Sequence, residues 1–239
     1  MPFDTSLTRE ADARAIAHLV ERRIEERIPA AYLVKEAWLD GLPFYVDRRV
    51  IIPRSHIAFL FRRLRVRPKR ILDLCTGSGC LAILAARAFP EADVDASDIS
   101  RDALAVAARN VKKHRSRVKL IRSDLYEKIE ASYDLILSNP PYVSTPSMRK
   151  LPAEYRHEPG IALAGGKQGL DFVGRILDGA PGHLEPRGLL VCEIGENRKA
   201  LQRACPSVKF DWPQDEVFTL PRARMAGGAR KRATRARGG

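Results

Sequence analysis

Apolar and polar positions follow two different periods at the start of the chain. Over 8–28, apolar residues recur at helical spacing on one face and Pro29 follows, which predicts an amphipathic helix ending at the proline. Over 32–52, two short apolar runs flank the turn dipeptide Asp40-Gly41 and predict a β-hairpin. We therefore expect a short helical segment over 1–31 and a hairpin linker over 32–52.

From position 70 onward, short apolar runs alternate with helical stretches. The predicted strands are 70–74, 92–97, 118–123, 133–138, 188–194, 208–212 and 217–220, and the predicted helices are 79–88, 101–113, 169–180 and 196–204. Such alternation is typical of a parallel sheet covered by helices on both faces. No long helix separates the last two runs, which favours an antiparallel hairpin at the edge of the sheet. The predicted fold is therefore α/β, a doubly wound, mostly parallel seven-stranded sheet over residues 53–221.

The charge of the chain is concentrated at its end. The chain holds 42 Lys and Arg against 29 Asp and Glu, a formal net charge of +13. Residues 222–239 carry seven of those bases, four glycines and no acid. This composition predicts a disordered basic tail that is available to polyanions such as ribosomal RNA, or else a solubilising tail without a specific role.

Several classes of protein are excluded by what the sequence does not contain. The start Met-Pro-Phe-Asp does not resemble a secretory signal, and no apolar run reaches the roughly 18 residues needed to span a bilayer. The four cysteines form no CxxC pair and no metal-ligand spacing. We expect a cytoplasmic protein without a metal site and without membrane association.

The strand predicted at 70–74 runs into a glycine-rich turn and then a helix. Gly77 and Gly79 remove side chains that would keep the backbone from a ligand, and the helix that follows offers free N–H groups. With Ala82 the turn also fits the dinucleotide fingerprint GxGxxG/A. Asp73, just before the turn, suits an amine-bearing or positively charged ligand better than a pyrophosphate. This favours S-adenosylmethionine over a nicotinamide cofactor.

Two further strands end on a carboxylate at the same edge of the predicted sheet. Asp98 is 19 positions beyond Gly79, a distance at which an acidic residue accepts hydrogen bonds from ribose hydroxyls. Its alternative role is to cap the next helix. Asp124 follows the third strand and has the chemistry to accept from an adenine amino group, or it is a simple turn residue.

The fourth strand delivers Asn139-Pro140-Pro141-Tyr142 to this edge. The two prolines remove two backbone donors and fix two φ angles, so nearby carbonyls keep no local N–H partner. Asn139 adds a side-chain oxygen, and two rigid acceptors match the two hydrogens of an –NH₂ group. Holding such a group orients its lone pair and offsets the charge that develops during methyl transfer. Tyr142 is able to stack on the planar group. The motif predicts transfer to an amide or aromatic amino nitrogen.

These residues resemble the HemK/PrmB family of protein-glutamine methyltransferases over about 7–220. The matching runs are 26–33 (Glu-Arg-Ile-Pro-Ala-Ala-Tyr-Leu), 52–55 (Ile-Pro-Arg-Ser), 73–80, 139–142 and 154–159. Pro-Arg-Ser is similar to the PrmB-like branch, which acts on large-subunit ribosomal protein three. The resemblance implies a class I S-adenosylmethionine methyltransferase with a Rossmann-like sheet.

The resemblance also implies roles for individual residues. Asn139 and the Pro140 carbonyl would hold the glutamine amide, with Pro141, Tyr142 and Arg54 beside the substrate. The residues implied around the cofactor are Asp73, Cys75, Thr76, Gly77, Ser78, Gly79, Asp98, Asp124 and Asn139.

The chain departs from the family pattern outside the catalytic run. The helical region before position 7 is shorter than in the family, His56 and Phe59 replace a proline and an acidic residue, the loop over 110–118 is short, and 212–216 replaces a glycine-rich stretch. These departures leave the predicted chemistry intact and concern specificity. His157-Glu158 has the composition of a metal or acid–base pair, but we expect a structural role.

Two other functions remain open from the sequence. Adenine amino-group methyltransferases of DNA or RNA also use an Asn-Pro-Pro-aromatic motif, and the basic tail would supply phosphate contacts. A non-catalytic relative that only binds the ribosome is the third possibility.

Overall fold

The computed structural model of the protein describes residues 10–225, and the side chains from Asp12 onward. Its first helix, α1, spans Glu10–Glu25, and a short helix, α2, spans Ala30–Val34. Strands β1 (Glu36–Leu39) and β2 (Leu42–Tyr45) form the predicted antiparallel hairpin. The positions before Glu10 in the predicted helix lie outside the described residues.

Seven strands form the main sheet, which confirms the predicted fold class. Their order is β5-β4-β3-β6-β7-β9-β8. The first five run parallel, and β9 is antiparallel to both β7 and β8, as expected for a hairpin at the edge. The strands are β3 (Arg70–Leu74), β4 (Asp93–Asp98), β5 (Val118–Arg122), β6 (Tyr133–Ser138), β7 (Leu184–Glu193), β8 (Asp211–Gln214) and β9 (Val217–Pro221).

Helices cover both faces of this sheet. The covering helices are α3 (Cys80–Ala88), α4 (Arg101–Lys113), α6 (Asp171–His183) and α7 (Arg198–Ala204), whereas the short helix α5 (Thr145–Met148) has no buried residue. Side chains alternate between faces along a strand, so Leu135 and Leu137 of β6 pack with α3 while Ile136 packs with α6. Burial on both faces explains why the central strands read as continuous apolar runs.

The carboxyl ends of the parallel strands meet at one edge of the sheet, where the strand order reverses between β3 and β6. Ligands of open α/β sheets bind at such a switch point. Ser138, the last residue of β6, lies beside Leu74 of β3 and Cys192 of β7. The turn after β3, the motif after β6 and the end of β7 are therefore neighbours.

The end of the described chain is ordered further than the sequence predicts. Arg222–Arg224 form a 3₁₀ turn, and Arg222 Nη1 donates to the Leu184 carbonyl at 2.7 Å. The predicted disordered tail began at Arg222, whereas the structure packs this turn against β7, and 226–239 lie outside the described residues. Across 10–225, no helix has the length and apolar character to cross a membrane.

Candidate active site

The turn after β3 is tied together by the carboxylate of Asp73. Asp73 Oδ2 accepts from Thr76 Oγ1 at 2.6 Å and from the backbone N–H of Ala82 at 3.1 Å. Its other oxygen, Oδ1, is buried without a hydrogen-bond partner. Burial raises the pKa of Asp73 to about 7. The side chain thus joins the turn to the first turn of α3 from inside the protein.

Asp98 lies on the other side of the same turn. Its Oδ2 accepts from the Gly77 N–H and its Oδ1 from the Ser100 N–H, both at 2.9 Å. Burial raises the pKa of Asp98. The cap of α4 is Ser100, whose hydroxyl accepts from the Ala103 N–H. Asp98 therefore positions the glycine turn and supports the cap without being the cap itself.

A cavity, which we call the glycine-turn cavity, opens over these groups. It is lined by Arg49, Val50, Ile51, Cys75, Gly77, Asp98, Ile99, Ser100, Ala103, Ser123, Asp124, Leu125, Asn139, Pro141, Pro159, Ile161, Ala162, Phe172 and Arg175. Five residues that the sequence assigns to the cofactor are among them: Cys75, Gly77, Asp98, Asp124 and Asn139. Asp73, Thr76, Ser78 and Gly79 are not among the lining residues.

One wall of the glycine-turn cavity comes from a helix that the sequence did not implicate. Phe172 and Arg175 of α6 line it, and Arg175 Nη2 is 2.9 Å from Asp124 Oδ2. The ion pair holds the Asp124 carboxylate at the cavity wall. Phe172 and Arg175 lie in the first two turns of a helix that follows a loop, and this position is only a weak signal in the sequence.

A second cavity, which we call the tyrosine cavity, adjoins the first. It is lined by Ile51, Arg54, Asn139, Pro140, Tyr142, Val143, Ser144, Ser147, Leu151, Tyr155, Ala162, Leu163, Gly195, Glu196, Asn197 and Glu216. Three residues, Ile51, Asn139 and Ala162, line both cavities. Within the described residues the Asn139 amide has no hydrogen-bond partner. Its oxygen and nitrogen are free to bind a ligand at the junction.

Three groups at the end of β7 and just after it hold Tyr142 in place. Its ring packs on Gly195, where an added Cβ would lie 2.7 Å from the ring carbon Cε2. Asn197 Nδ2 donates to the Tyr142 carbonyl at 2.8 Å, and the Tyr142 hydroxyl lies 3.5 Å from Glu193 Oε1. Burial raises the pKa of Tyr142, so its hydroxyl remains protonated.

Glu193 is a residue that the sequence prediction missed. Its Oε2 accepts from Ser55 Oγ at 2.6 Å and from the His56 N–H at 2.9 Å, and burial raises its pKa. It follows the same rule that identified Asp98 and Asp124, because it is an acidic residue at the carboxyl end of a parallel strand. That rule would have found it.

Arg54 borders the tyrosine cavity and fixes a distant loop. Its guanidinium makes two 2.8 Å hydrogen bonds to the two oxygens of Glu158 and lies over the ring of Tyr155. His157 Nε2 is 2.9 Å from the Glu26 carbonyl, so the His157-Glu158 pair ties the loop to its surroundings. Glu154 of the same loop pairs with Arg23 and Arg27.

Comparison with known proteins defines the class of this fold and site. The methyltransferase small domain family model matches residues 56–152. A methyltransferase from Pyrococcus furiosus superposes with a TM-score of 0.57 at 18% identity, covering 88% of this chain and 98% of that one. The hMettl16 catalytic domain, solved with the MAT2A 3′UTR hairpin 6, gives 0.56 at 15% identity over 86% and 91%. The chain has the class I S-adenosylmethionine methyltransferase fold.

Relatives of closer sequence give the family. The ribosomal protein uL3 glutamine methyltransferase of Bordetella pertussis is 48% identical, covering 94% of this chain and 80% of the relative. The enzymes of the same name from Bradyrhizobium diazoefficiens and Neisseria meningitidis serogroup A are 49% identical over 89% and 73%, and 45% identical over 95% and 79%, respectively. This chain belongs to the family of ribosomal protein uL3 glutamine methyltransferases, which confirms the resemblance seen in the sequence.

Proposed function

We propose that this protein transfers a methyl group from S-adenosylmethionine to the side-chain amide nitrogen of a glutamine in ribosomal protein uL3. Membership of the family supports the reaction and the substrate. The observation that carries the site assignment is the Asn139 amide, which has no partner within the described residues and lies where the two cavities meet. The glutamine amide would enter from the tyrosine cavity and meet the methyl donor there.

The residues of the motif act by holding the amide. The Asn139 side-chain oxygen and the Pro140 carbonyl each accept one N–H of the glutamine, so the nitrogen lone pair is directed toward the glycine-turn cavity. The same two acceptors offset the positive charge that develops on nitrogen as the methyl group arrives. Tyr142 packs against the planar amide, and Gly195 and Asn197 restrict its movement.

The glycine-turn cavity fits the cofactor chemically. S-Adenosylmethionine supplies an electrophilic methyl group on a sulfonium. Asp98 and Asp124 present carboxylates suited to ribose hydroxyls and an amino group, while Leu125 and Phe172 offer apolar surface for a flat ring. Cys75 and Gly77 contribute to the wall beside the switch point, and Asp73, Thr76, Ser78 and Gly79 shape the turn behind them.

We propose two further properties of the cellular setting. The four cysteines are free thiols, which suits the reducing cytoplasm in which ribosomal subunits are assembled. The basic residues of 222–239, apart from Arg222 and Arg224, which bond to Leu184 and Asp211, would contact ribosomal RNA near the substrate. Removing 226–239 is expected to weaken association with ribosomal particles and to reduce its salt dependence, whereas a passive tail would change neither.

The test is methyl transfer from labelled S-adenosylmethionine into ribosomal particles from a strain that lacks this protein, followed by mass spectrometry. We expect label on one glutamine of uL3. Label on another protein would mean that the fold and chemistry are retained and the substrate differs. Label that is removed by nuclease and survives protease would identify an amino-group methyltransferase of nucleic acid and overturn the glutamine assignment.

A further inference from the structure

A row of exposed cations lies on the segment that leads into β3. Over 64–69, inward and outward positions alternate, with Pro68 buried and Leu64 and Val66 half-buried. The residues between them, Arg65, Arg67 and Lys69, are exposed. We call these three residues the first row.

A second row follows the same pattern where the chain enters β5. Ser116 and Val118 are half-buried, while Arg115, Arg117 and Lys119 are exposed. We call these three residues the second row. In both segments the inward positions anchor the chain to the body of the protein, so the outward positions are presented in a fixed order.

The two rows lie side by side at one edge of the sheet. Arg70 at the start of β3 pairs with Asp93 of β4, and Val94 of β4 pairs with Val118 of β5. Adjacent strands are about 4.8 Å apart, so the rows enter the sheet about 10 Å apart. This is the amino-terminal edge, opposite the two cavities, and strands of this length separate the two edges by about 17–20 Å.

The charge of this edge is not neutralised by the fold. Within the described residues, no side chain of either row makes an ion pair or a side-chain hydrogen bond. Two exposed carboxylates, Glu91 and Asp93, lie between the rows at the start of β4. A third carboxylate, Asp134 of β6, lies beside the first row and accepts from the backbone N–H groups of Lys69 and Arg70.

Three further exposed bases add to the positive charge. Arg63 precedes the first row, and Arg87 and Lys112 lie at the ends of α3 and α4 that reach this edge. The net charge of the edge therefore remains strongly positive.

We propose that this edge, the two rows together, is a binding surface for the phosphate backbone of RNA. Four of the six residues are arginines, whose planar guanidinium donates two parallel hydrogen bonds to phosphate oxygens. Neither row contains an exposed large apolar side chain that would insert into a bilayer. The surface lies away from both cavities, so bound RNA leaves the active site open to a protein substrate. The proposal stands on the charges and does not require the proposed function.

The test uses the full-length protein and a short fluorescent RNA of mixed sequence, titrated at several salt concentrations. One variant carries Arg65→Gln, Arg67→Gln and Lys69→Gln, and a second carries Arg115→Gln, Arg117→Gln and Lys119→Gln. The control removes the same number of exposed, unpaired charges on and after α7, at the other end of the strand order. Its substitutions are Lys199→Gln, Arg203→Gln and Lys209→Gln.

Each row variant is expected to reduce the slope of log affinity against log salt by about 2, since each lost phosphate contact on a single strand accounts for about 0.7. When the salt concentration rises fourfold, the affinity of the unmodified protein should therefore fall by a factor about 16 times larger than that of the variant. The control is expected to keep the slope of the unmodified protein. All variants should keep the unfolding temperature and methyl transfer to free uL3.

Three results would overturn the proposal. Unchanged slopes in both row variants would show that the rows do not meet phosphates. An equal loss in the control would show that net charge alone attracts RNA. Loss of binding to phosphatidylserine vesicles with RNA binding intact would assign the edge to a membrane surface.

Discussion

The hydrogen bonds that support the two cavities join residues at very different separations in the sequence. In the glycine turn, which forms one wall of the first cavity, Asp73 bonds to a hydroxyl 3 positions away, and Asp98 to a backbone amide 21 positions away. At the tyrosine cavity, Arg54 bonds to Glu158 across 104 positions. Behind Tyr142, Ser55 bonds to Glu193 across 138 positions. The glycine turn needs only a strand–turn–helix and its neighbouring strand, and residues 49–51, 159–162 and α6 complete the cavity over it. The frame of the tyrosine cavity needs the segment 51–55, the end of β7 and the 153–163 loop together. Substitutions should therefore separate cofactor binding from substrate handling.

The largest separation is expected at Asn139, one of the three residues that line both cavities. Asn139→Ala removes one acceptor for the glutamine amide and leaves the backbone of the turn in place. We expect the rate of methyl transfer at saturating substrate to fall about 10²–10³-fold, the usual effect of losing one hydrogen-bonding group from a transition state. Cofactor affinity, measured by calorimetry, should change by less than about threefold, well under 1 kcal/mol.

Ser147→Ala serves as the control for Asn139→Ala. Ser147 also lines the tyrosine cavity, but its hydroxyl contacts only Ser144 among the described residues, so transfer should persist. If Asn139→Ala kept more than about a tenth of the activity, the amide would not be held as proposed. In a strain lacking the protein, full complementation by this variant would point to a role in binding alone.

The next effect is expected where Tyr142 rests on Gly195. Gly195→Ala places a methyl group 2.7 Å from the Tyr142 ring and at a φ of +54°, a conformation that costs a residue with a side chain about 1 kcal/mol. The ring must move, so we expect transfer to fall about tenfold or more while cofactor affinity is kept. Gly182→Ala is the control, since an added Cβ in α6 meets nothing within 4 Å. Equal activity in the two variants would mean that the Tyr142 ring position is unimportant.

A smaller effect is expected from Arg54→Lys, which keeps the charge and loses the two-pronged contact with Glu158. A lysine ammonium does not reproduce the paired hydrogen bonds of a guanidinium. The loop over 153–163 should then be held less firmly, and we expect the KM for uL3 to rise about tenfold, with kcat and cofactor affinity changing less. Arg22→Lys makes the same change in an exposed pair with Glu26 and should leave KM unaltered. A rise in both variants would not support a role for Arg54.

This difference in sequence separation also explains which elements and site residues the sequence predicted. Strands β3 and β6 were identified because both faces are buried, and the carboxyl ends of β4, β5 and β6 placed Asp98, Asp124 and Asn139 at one edge. Residues 32–34 were expected in the hairpin but belong to α2, where the Tyr32 hydroxyl donates to the Val50 carbonyl. That contact depends on tertiary packing, which cannot be predicted from an apolar run of three residues.

The supporting residues were less accessible to sequence reasoning. Arg175 and Phe172 line the glycine-turn cavity because α6 packs against the segment that follows β5, where Arg175 pairs with Asp124. Glu193 bonds to Ser55 because the chain just after the linker passes the end of β7. For Phe172 and Arg175 only the fold shows that they lie at the site, whereas Glu193 could have been found from its position at the end of a strand and only its bond to Ser55 depends on the fold. Asp73 is the opposite case, a residue that the sequence assigned to the ligand and that the fold places elsewhere. Its position before the glycines suggested ligand contact, but its carboxylate lies buried behind the turn.

Asp73→Asn is expected to change methyl transfer least and the pH dependence of stability most. The amide oxygen still accepts from Thr76 and Ala82, so the turn should keep its shape. The folded-state pKa of Asp73 is about 7, above its ordinary value of 3.8. The folded protein therefore binds this proton more tightly than the unfolded chain. The resulting stability is fully present below pH 4 and is lost as pH rises through 7.

Asparagine does not titrate, so the stability of Asp73→Asn relative to the unmodified protein should increase between pH 5 and pH 8. The increase is limited to about 1.4 kcal/mol for each pH unit between the two pKa values, and urea unfolding at both pH values measures it. Thr76→Val tests the same carboxyl in the opposite direction. It removes a hydrogen bond that lowers the Asp73 pKa, so the loss of stability should shift to higher pH. A stability difference that is independent of pH in both variants would show that Asp73 does not titrate in this range. It would also show that burial behind the glycine turn does not raise the pKa of Asp73.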